Sequence, residues 1–419
     1  MTADLLAGVR VLDLTNVLAG PFAGYQLALM GADVIKVETP GAGDLARQLG
    51  AGPALSAEGL GASFLAQNSG KRSMTVNLKT AAGAELFTRL VAGADVLLEN
   101  FRPGVMDRLG FGWPRLREIN ARLVYCAVSG FGATGPLSGR PAYDQVIQGL
   151  SGIMSVTGGR DTAPLRAGFP VCDSFGGLAA AFAVCAALLR QRATGQGAFL
   201  DTSMLDAALT AMGWVASDYL IAGQEPVPMG NENRTAAPSG TFATADGALN
   251  IAANKQEQFQ ELCRVLGRDE LITDPRFAAR EDRKRNRDAL RAELERSLAA
   301  KTAAEWDEIL LGTGVPAAPV VPVTEALACD QVTHRGLVSA VDSPAAEAPD
   351  PAAADPATPD PATAGGGEIR VLGAPTHVDG QPVTPGSRPP RLGEHTAEIL
   401  EELGYTTSDR ARLRAEGAI

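Results

Sequence analysis

Residues 9–37 read VRVLDLTNVLAGPFAGYQLALMGADVIKV, and this stretch decides the fold class of the chain. A β-rich run from Val9 to Leu14 is followed by a segment of helical pattern from Ala19 to about Met30. A second apolar run, Ala32 to Val37, comes next. A strand, a helix and a strand within about thirty residues form a βαβ unit, so the two strands are predicted to be parallel.

Patterning along the rest of the chain predicts two domains. Apolar runs recur at residues 95–98 and 123–128, with helical pattern between them, so the first half is predicted to be α/β and Rossmann-like in outline. From about residue 230 to 323, a short β-rich piece precedes charged, helix-forming sequence, which predicts a smaller α+β domain. An amphipathic helix is predicted near the C-terminus, at about residues 396–403.

Residues 343–367 differ from the rest in composition, because they repeat Ala, Pro and Asp with almost no large apolar side chain. Such a segment cannot bury enough apolar surface to offset the entropy lost on ordering. It is therefore predicted to be a flexible surface loop.

The composition excludes several classes of protein. The 419 residues are 45% hydrophobic and 20% charged, which is enough for two domains with cores. A net charge of −11 argues against a nucleic-acid surface. No secretory signal is recognisable, and the apolar run from Phe175 to Leu189 is short enough to be read as a buried helix rather than a membrane span. Five cysteines without metal-ligand spacing indicate reduced thiols in a cytoplasmic protein and no metal site.

The turn from Thr15 to Pro21 follows the first predicted strand. Ligands of open parallel sheets bind at the carboxyl ends of the strands, so this turn is a candidate binding edge. It does not match the GxGxxG dinucleotide fingerprint, and no strand–helix junction elsewhere in the chain does. A tight turn that only packs a helix on the sheet is the alternative.

Asp173 lies in the segment AGFPVCDSFGG, residues 167–177, just before the apolar helix. A carboxylate at a helix N-terminus is favoured in its ionised form. The structural alternative is that Asp173 only caps the helix. The pair Gly176-Gly177 favours a ligand role, because glycines allow a ligand to approach the backbone closely.

Basic residues cluster near the predicted strand ends. Lys71, Arg72 and Lys79 flank one short apolar stretch, and Arg102 and Arg108 follow another. Cations at strand ends suit phosphate groups, although solvated surface charge is the alternative for each of them.

The three histidines, His334, His377 and His395, all lie in the last quarter of the chain, away from these segments. This argues against a Ser–His–Asp triad or a histidine-ligated metal in the α/β half.

Taken together, these segments resemble the class III CoA-transferases, the family of formyl-CoA transferase and the carnitine CoA-transferases. The likeness covers nearly the whole chain except the Ala/Pro/Asp segment, and as an ordered set it is highly specific. The matching pieces are VLDLT (11–15), AGP (19–21), GADVIKVE (31–38), KRS (71–73), NFRPG (100–104), SGFG (129–132), GRPAYD (139–144), the Asp173 segment, APSGTF (237–242), ADG (245–247) and GVPAAP (314–319).

The resemblance implies a Rossmann-like large domain built from both chain termini and a small α+β domain between them. With this chain's patterning, the expected bounds are 1–225 and 326–419 for the large domain and 226–325 for the small one. The resemblance also implies an interlocked homodimer, acyl-CoA and carboxylic acid substrates, and no tightly bound cofactor. It places the catalytic nucleophile at Asp173, which would carry CoA through a mixed anhydride and an aspartyl-CoA thioester.

Carried over position by position, the resemblance also implies residues that bind CoA. Lys79 and Arg108 are expected to meet phosphate, and Val76 and Leu109 to hold the adenine. Tyr143 and Asp144 are expected beside the acyl group. The full set of expected contacts is Val17, Leu18, Thr39, Val76, Lys79, Asn100, Phe101, Arg102, Arg108, Leu109, Tyr143 and Asp144.

Two departures from the family pattern bear on the substrate. Formyl-CoA transferase has Gln where this chain has Leu18, and its all-glycine loop corresponds here to residues 230–234, which contain one glycine. These departures argue against oxalate and formate. Arg234 suggests a second carboxylate on the substrate, as in succinate, with a surface arginine as the alternative.

Three other functions remain open at this point. The same fold hosts 2-methylacyl-CoA racemases, which resemble this chain in CoA binding but place His where Tyr143 stands; tyrosine is a poor base for α-proton transfer. A CoA-binding subunit without catalysis is the second alternative, against which the retained Asp173 argues. An NAD-dependent enzyme is the third, and the missing phosphate fingerprint weakens it.

Overall fold

The computed structural model describes residues 3–345 and 367–419. The chain divides into two compact units. The first comprises the described parts of Met1–Ser151, Ala167–Ser217 and Asp330–Ile419, and the second comprises Gly152–Arg166 and Asp218–Cys329. The sequence had placed residues 152–166 with the large domain. They belong to the second unit because a long-range backbone pair, from the Gly230 amide to the Gly158 carbonyl at 2.8 Å, ties them to it.

The elements are numbered in chain order. The strands are β1 (Arg10–Asp13), β2 (Asp33–Glu38), β3 (Arg72–Thr75), β4 (Val96–Glu99), β5 (Val124–Ser129), β6 (Ala198–Ser203), β7 (Ser239–Ala243), β8 (Ala248–Ala252), β9 (Ala317–Pro319), β10 (Val338–Asp342), β11 (Glu368–Leu372), β12 (His377–Val378) and β13 (Gln381–Pro382). A 3₁₀ helix spans Leu45–Gln48.

The helices follow the same numbering. They are α1 (Ala19–Leu29), α2 (Pro53–Ala57), α3 (Ala62–Leu65), α4 (Ala81–Ala92), α5 (Val105–Arg108), α6 (Trp113–Ile119), α7 (Asp144–Leu150), α8 (Ile153–Val156), α9 (Val171–Thr194), α10 (Met204–Ala211), α11 (Gly213–Ala222), α12 (Gln256–Val265), α13 (Glu270–Thr273), α14 (Arg280–Arg285), α15 (Arg287–Leu298), α16 (Ala303–Leu310), α17 (Val323–Ala328), α18 (Asp330–His334), α19 (Thr396–Glu402) and α20 (Thr407–Ala415).

A six-stranded parallel sheet in the order β3-β2-β1-β4-β5-β6 is the centre of the first unit. This order is that of Rossmann folds. The predicted βαβ unit is confirmed as β1-α1-β2, and the runs at 95–98 and 123–128 are confirmed as β4 and β5. The sequence did not predict β3 and β6. Their sequences, RSMT and AFLDTS, carry polar residues that lack the apolar run typical of a buried parallel strand.

Helices cover both faces of this sheet. Leu12 and Ile35 point to one face, where they join a buried cluster with Phe87 of α4 and Leu400 of α19. Helices α1 and α9 pack together and against the strands on the other face. The predicted C-terminal helix is confirmed as α19, and its packing returns the end of the chain to the first unit.

The long helix α9 extends beyond the predicted apolar run at both ends and has 24 residues. It is long and apolar enough to cross a membrane by length and composition, but half of its apolar stretch is buried against the unit it belongs to. A buried core helix of a folded protein can have the same length and composition. Its packing on α1, α10 and the sheet favours that interpretation.

Gly177 sits where α9 crosses α1. A Cβ atom there would lie 2.5 Å from the carbonyl oxygen of Ala19, and one at Gly176 would lie 3.0 Å from the Met204 side chain. Both glycines are thus explained by packing, since their close neighbours are a helix backbone and a buried side chain.

The second unit contains the antiparallel sheet β7-β8-β9. Its core is formed by side chains such as Phe242, Leu249, Phe259 and Leu294. The predicted order, strands followed by charged helices, is confirmed in this unit.

The predicted loop at residues 343–367 lies almost entirely outside the described residues. The two segments that flank it, β10 and β11, pair antiparallel, with Asp342 opposite Glu368.

Replacing Gly177 with Ala is expected to lower the free energy of unfolding by about 1–3 kcal/mol, because the new methyl group meets backbone that cannot move independently. Thermal or urea unfolding measures the change. Gly93→Ala is the matched control: its Cβ meets only the Leu90 carbonyl oxygen, at 3.9 Å, and its stability should stay within about 0.5 kcal/mol of the parent. Equal stability of both variants would contradict the close crossing of α1 and α9.

Candidate active site

The neighbouring strands β1 and β4 mark the point where the strand order reverses. From β1 the chain continues towards β2 and β3, whereas from β4 it continues towards β5 and β6. A crevice opens at the carboxyl ends of the strands at such a point. Two asparagines join the loops that follow these strands. The Asn16 amide donates to Asn100 Oδ1 at 2.8 Å, and Asn100 Nδ2 donates to the Asn16 carbonyl at 2.7 Å.

A cavity of about 250 Å³ lies at this edge of the sheet. Loops after β1, β4 and β5, the N-terminal turn of α9 and the start of α10 contribute its walls. The lining residues are Asn16, Val17, Leu18, Ala19, Asn100, Phe101, Arg102, Pro103, Val128, Ser129, Gly130, Ser138, Arg140, Pro141, Ala142, Tyr143, Asp173 and Met204.

The cavity brings together part of the predicted site. From that set, the lining includes Val17, Leu18, Asn100, Phe101, Arg102, Tyr143 and Asp173. Ser129, Ser138, Arg140 and Met204 are cavity residues that were not predicted from the sequence. Three of these lay inside or beside quoted motifs, but nothing in a linear pattern shows which side of a loop faces a cavity.

The remaining predicted CoA contacts lie outside this cavity. Val76 is 2% exposed and its side chain packs in the core beside the sheet, so that side chain is not available to hold an adenine. Leu109 packs half-buried against the same core. Lys79, Arg108 and Thr39 are exposed.

Two of the predicted phosphate cations are engaged elsewhere. Lys71 is buried and its Nζ lies 2.8 Å from Asp13 Oδ2. Arg72 pairs with Asp33 at 2.8 Å and with two glutamates of α19. These two candidates are not free to meet phosphate, because the Lys71 ammonium and the Arg72 guanidinium are already paired within the fold.

Asp173 is the third residue of α9, whose N-cap position is Pro170. The capping oxygen comes from another helix. Asp144 Oδ1, at the start of α7, accepts from the backbone amide of Cys172 at 2.8 Å and from that of Asp173 at 3.4 Å. The alternative in which Asp173 only caps its helix is therefore wrong, and its carboxylate is left to line the cavity.

Asp144 is 6% exposed and does not line the cavity. Gln148 Nε2 donates to Asp144 Oδ2 at 2.6 Å, and Gln148 Oε1 accepts from the Ala167 amide at 2.9 Å. Gln148 thereby fixes the carboxylate that caps α9. Gln148 was not predicted from the sequence, although its spacing of four residues from Asp144 on a helix is a signal that could have identified it.

The pKa of Asp173 is raised to about 7. Burial is the main cause and the nearby negative charge of Asp144 is the second. The sequence had predicted that the helix N-terminus would favour the ionised form, but these two effects outweigh it. The Asp173 carboxyl group therefore changes charge near neutral pH.

None of the three histidines lines the cavity. His395 Nδ1 accepts from the Ser73 amide at 3.2 Å, and the His377 ring lies 2.9 Å from the Arg335 carbonyl. In the described part of the chain, no three His, Cys, Asp or Glu side chains are grouped as a metal site requires.

The structure places a cavity that contains Asp173 at the carboxyl edge of a Rossmann-like sheet, and comparison with known proteins identifies the family. Residues 6–396 match the model of CoA-transferase family III. The chain belongs to that family and is a CoA-transferase.

Curated relatives and a solved structure cover nearly the whole chain. The succinyl-CoA:glutarate CoA-transferase of Mus musculus is 35% identical over 99% of this chain and 90% of its own length. The acetyl-CoA:oxalate CoA-transferase of Acetobacter aceti is 42% identical over 79% of this chain and 84% of its own. The crystal structure of a CAIB/BAIF family protein from Brucella suis superposes with a TM-score of 0.81 at 36% identity, covering 96% of this chain and all of that one.

The raised pKa of Asp173 predicts a pH profile. If the carboxylate is the reacting form, kcat/KM for an acyl-CoA should rise with pH and level off above about 7. Asp144→Asn keeps a capping oxygen but removes the neighbouring charge, so the midpoint should move to lower pH. Asp206→Asn is the control, since this exposed residue in the first turn of α10 should leave the midpoint unchanged. A midpoint unmoved by Asp144→Asn would contradict the coupling.

Proposed function

We propose that this CoA-transferase moves coenzyme A from an acyl-CoA donor, succinyl-CoA in the first instance, to a free carboxylic acid through covalent intermediates on Asp173. The observation that carries the proposal is the freedom of the Asp173 carboxylate. Another residue caps its helix, and it lines the cavity at the point where the strand order reverses.

In the proposed reaction, a carboxylate oxygen of Asp173 attacks the thioester carbonyl of the donor. CoA leaves as the thiolate, and a mixed anhydride between Asp173 and the donor acid remains. The thiolate then attacks the aspartyl carbonyl, which gives an aspartyl-CoA thioester and releases the donor acid. The acceptor acid repeats these steps in reverse and leaves as its CoA ester, with Asp173 regenerated.

Each intermediate in this scheme retains the activation of the original thioester, so no ATP is needed. Water must be kept from the anhydride, because hydrolysis would end the cycle. The partial burial of Asp173 that raises its pKa supports such shielding. Coenzyme A acts as a substrate here, and no tightly bound cofactor is part of the scheme.

A short dicarboxylic acid is the proposed acceptor class. The relatives reported above are named for glutarate and oxalate, which share a second carboxylate. In this chain, Arg102 and Arg140 line the cavity with Asp173 and are free of ion pairs among the described residues.

Arg234 is less suited to bind the second carboxylate than the sequence suggested, since its Nε lies 3.2 Å from Asp218 Oδ2. Leu18 argued against oxalate, but the relative from Acetobacter aceti is named for oxalate, so oxalate belongs among the acids to be tested.

The CoA nucleotide is proposed to lie beyond the cavity, along the strand ends that carry Lys79 and Arg108. Both side chains are exposed and free of ion pairs among the described residues, as a phosphate contact requires. Thr39 follows β2 on the same edge of the sheet.

We further propose a homodimer, with the interlocked arrangement that the family resemblance implies. Supporting this, several large apolar side chains on α9 and α11 are exposed in the single chain, and a partner would bury them. Among them Phe182, Leu189, Trp214 and Ile221 are 72–86% exposed. A cytoplasmic location is proposed as well, since all five cysteines are free thiols.

The test is intact mass spectrometry after incubation with succinyl-CoA and a panel of short acyl-CoAs. A CoA-sized adduct that localises to Asp173 and disappears in Asp173→Ala is the expected result, with transfer activity reduced by about 10³-fold or more. A panel without any adduct would overturn the proposal.

Arg140→Ala is expected to lower kcat/KM for dicarboxylic acceptors by about 10- to 100-fold, because a charge-assisted hydrogen bond to the second carboxylate is lost. For monocarboxylic acceptors of similar length the change should stay below about threefold. Arg115→Ala serves as the control, since this arginine of α6 is paired with Glu118 on the surface. An equal loss with both acceptor types would contradict the role of Arg140.

A further inference from the structure

Val17 has an unusual backbone conformation in the wall of the cavity. Its φ is +69°, in the left-handed region that β-branched residues rarely adopt. Only one other non-glycine residue in the described part of the chain, Asp379, has a positive φ. A strained residue of this kind persists only when the surrounding structure holds it in place.

Hydrogen bonds from two directions hold this turn. On one side, Asn100 binds the backbone of Asn16. On the other side, the amide of Val17 donates to Asp44 Oδ1 at 2.9 Å. Asp44 belongs to the segment after β2, so a neighbouring loop supplies the partner that the Val17 amide needs.

Asp44 is itself fixed by buried partners. Its Oδ2 lies 2.9 Å from Lys36 Nζ, and both side chains are fully buried. Lys36 Nζ also donates to the carbonyl of Thr15 at 2.8 Å, and the Asp44 amide donates to Glu38 Oε1 at 2.9 Å. Lys36 therefore contacts the turn directly and through Asp44.

We propose that the buried Lys36–Asp44 ion pair is a positioning device that holds Val17 in its left-handed conformation and so shapes the cavity around Asp173. The inference rests on the proposed function, because it concerns the rate at which Asp173 reacts. If the ion pair only stabilised the fold, the rate lost on removing it would not depend on the side chain at position 17.

Glycine at position 17 provides the discriminating test, because it adopts positive φ without steric cost. The measurement is the rate of CoA-adduct formation on Asp173 at saturating succinyl-CoA, together with the Kd of CoA. Asp44→Ala should slow adduct formation by about 10- to 100-fold, since small misplacements of reacting groups have effects of this size. The Kd of CoA should change by less than about threefold.

The rescue pair is Asp44→Ala/Val17→Gly against Asp44→Ala/Val17→Ala. Adduct formation in the glycine double variant should be about tenfold faster than in Asp44→Ala. The alanine double variant should be no faster than Asp44→Ala, because its Cβ still opposes positive φ. The single variants Val17→Gly and Val17→Ala complete the cycle. If Asp44→Ala fails to fold by circular dichroism, Asp44→Asn replaces it, since it keeps the volume and one acceptor oxygen but loses the charge.

The outcomes separate the two proposals. A wild-type protein that forms no adduct with any acyl-CoA overturns the proposed function. If the wild type is active, two results overturn the positioning role. Either a folded Asp44 variant keeps the full rate of adduct formation, or glycine and alanine at position 17 change the rate of the Asp44 variant to the same extent. Rescue by glycine alone supports it.

Discussion

A group of buried charges beneath the first strand–helix turn is the feature on which the rest of the structure depends. Asp13, Glu38 and Asp44 pair with Lys71, Arg47 and Lys36, and all six side chains are at most 2% exposed by side-chain area. Three acids and three bases balance, but removing any one leaves an uncompensated buried charge, which typically costs about 3–5 kcal/mol. The group joins β1, β2 and the segments that precede β3 and follow β2. It also limits the approach of α1, since a Cβ at Gly24 would lie 2.7 Å from Asp13 Oδ2.

The placement of Asp173 follows from this arrangement. Helix α1 packs against the group of buried charges, and α9 crosses α1 at Gly177. The first turn of α9 therefore lies at the carboxyl edge of the sheet. Asp144 then takes over the capping of that turn. Its charge, added to burial, raises the pKa of Asp173 to about 7. Asp144 thus leaves the proposed nucleophile free to line the cavity and adds to the larger effect of burial on its pKa.

Much of the fold could be predicted because it depends on local pattern. The period of the apolar residues between residues 9 and 37 predicts the βαβ unit, and a parallel sheet follows from it. The strands β3 and β6 could not be predicted, since short polar strands are recognisable only by the neighbours they pair with. Lys71 and Arg72 were misread for the same reason: a cation at a strand end looks alike in sequence whether it faces phosphate or, as here, Asp13 and Asp33.

The sequence by itself determined the class of fold, the family and the position of Asp173, because each is carried by short motifs whose residues are near neighbours and whose order runs along the chain. Only the tertiary structure decided which predicted residues share a cavity. It also showed that Asp144 serves a helix terminus rather than the cavity wall, and that Val17 is held in a left-handed conformation by Asp44. The physical reason is that hydrogen bonds and ion pairs act over about 3 Å in space. The partners of Asp173 and Val17 are 29 and 27 residues away, a separation that no periodicity reveals.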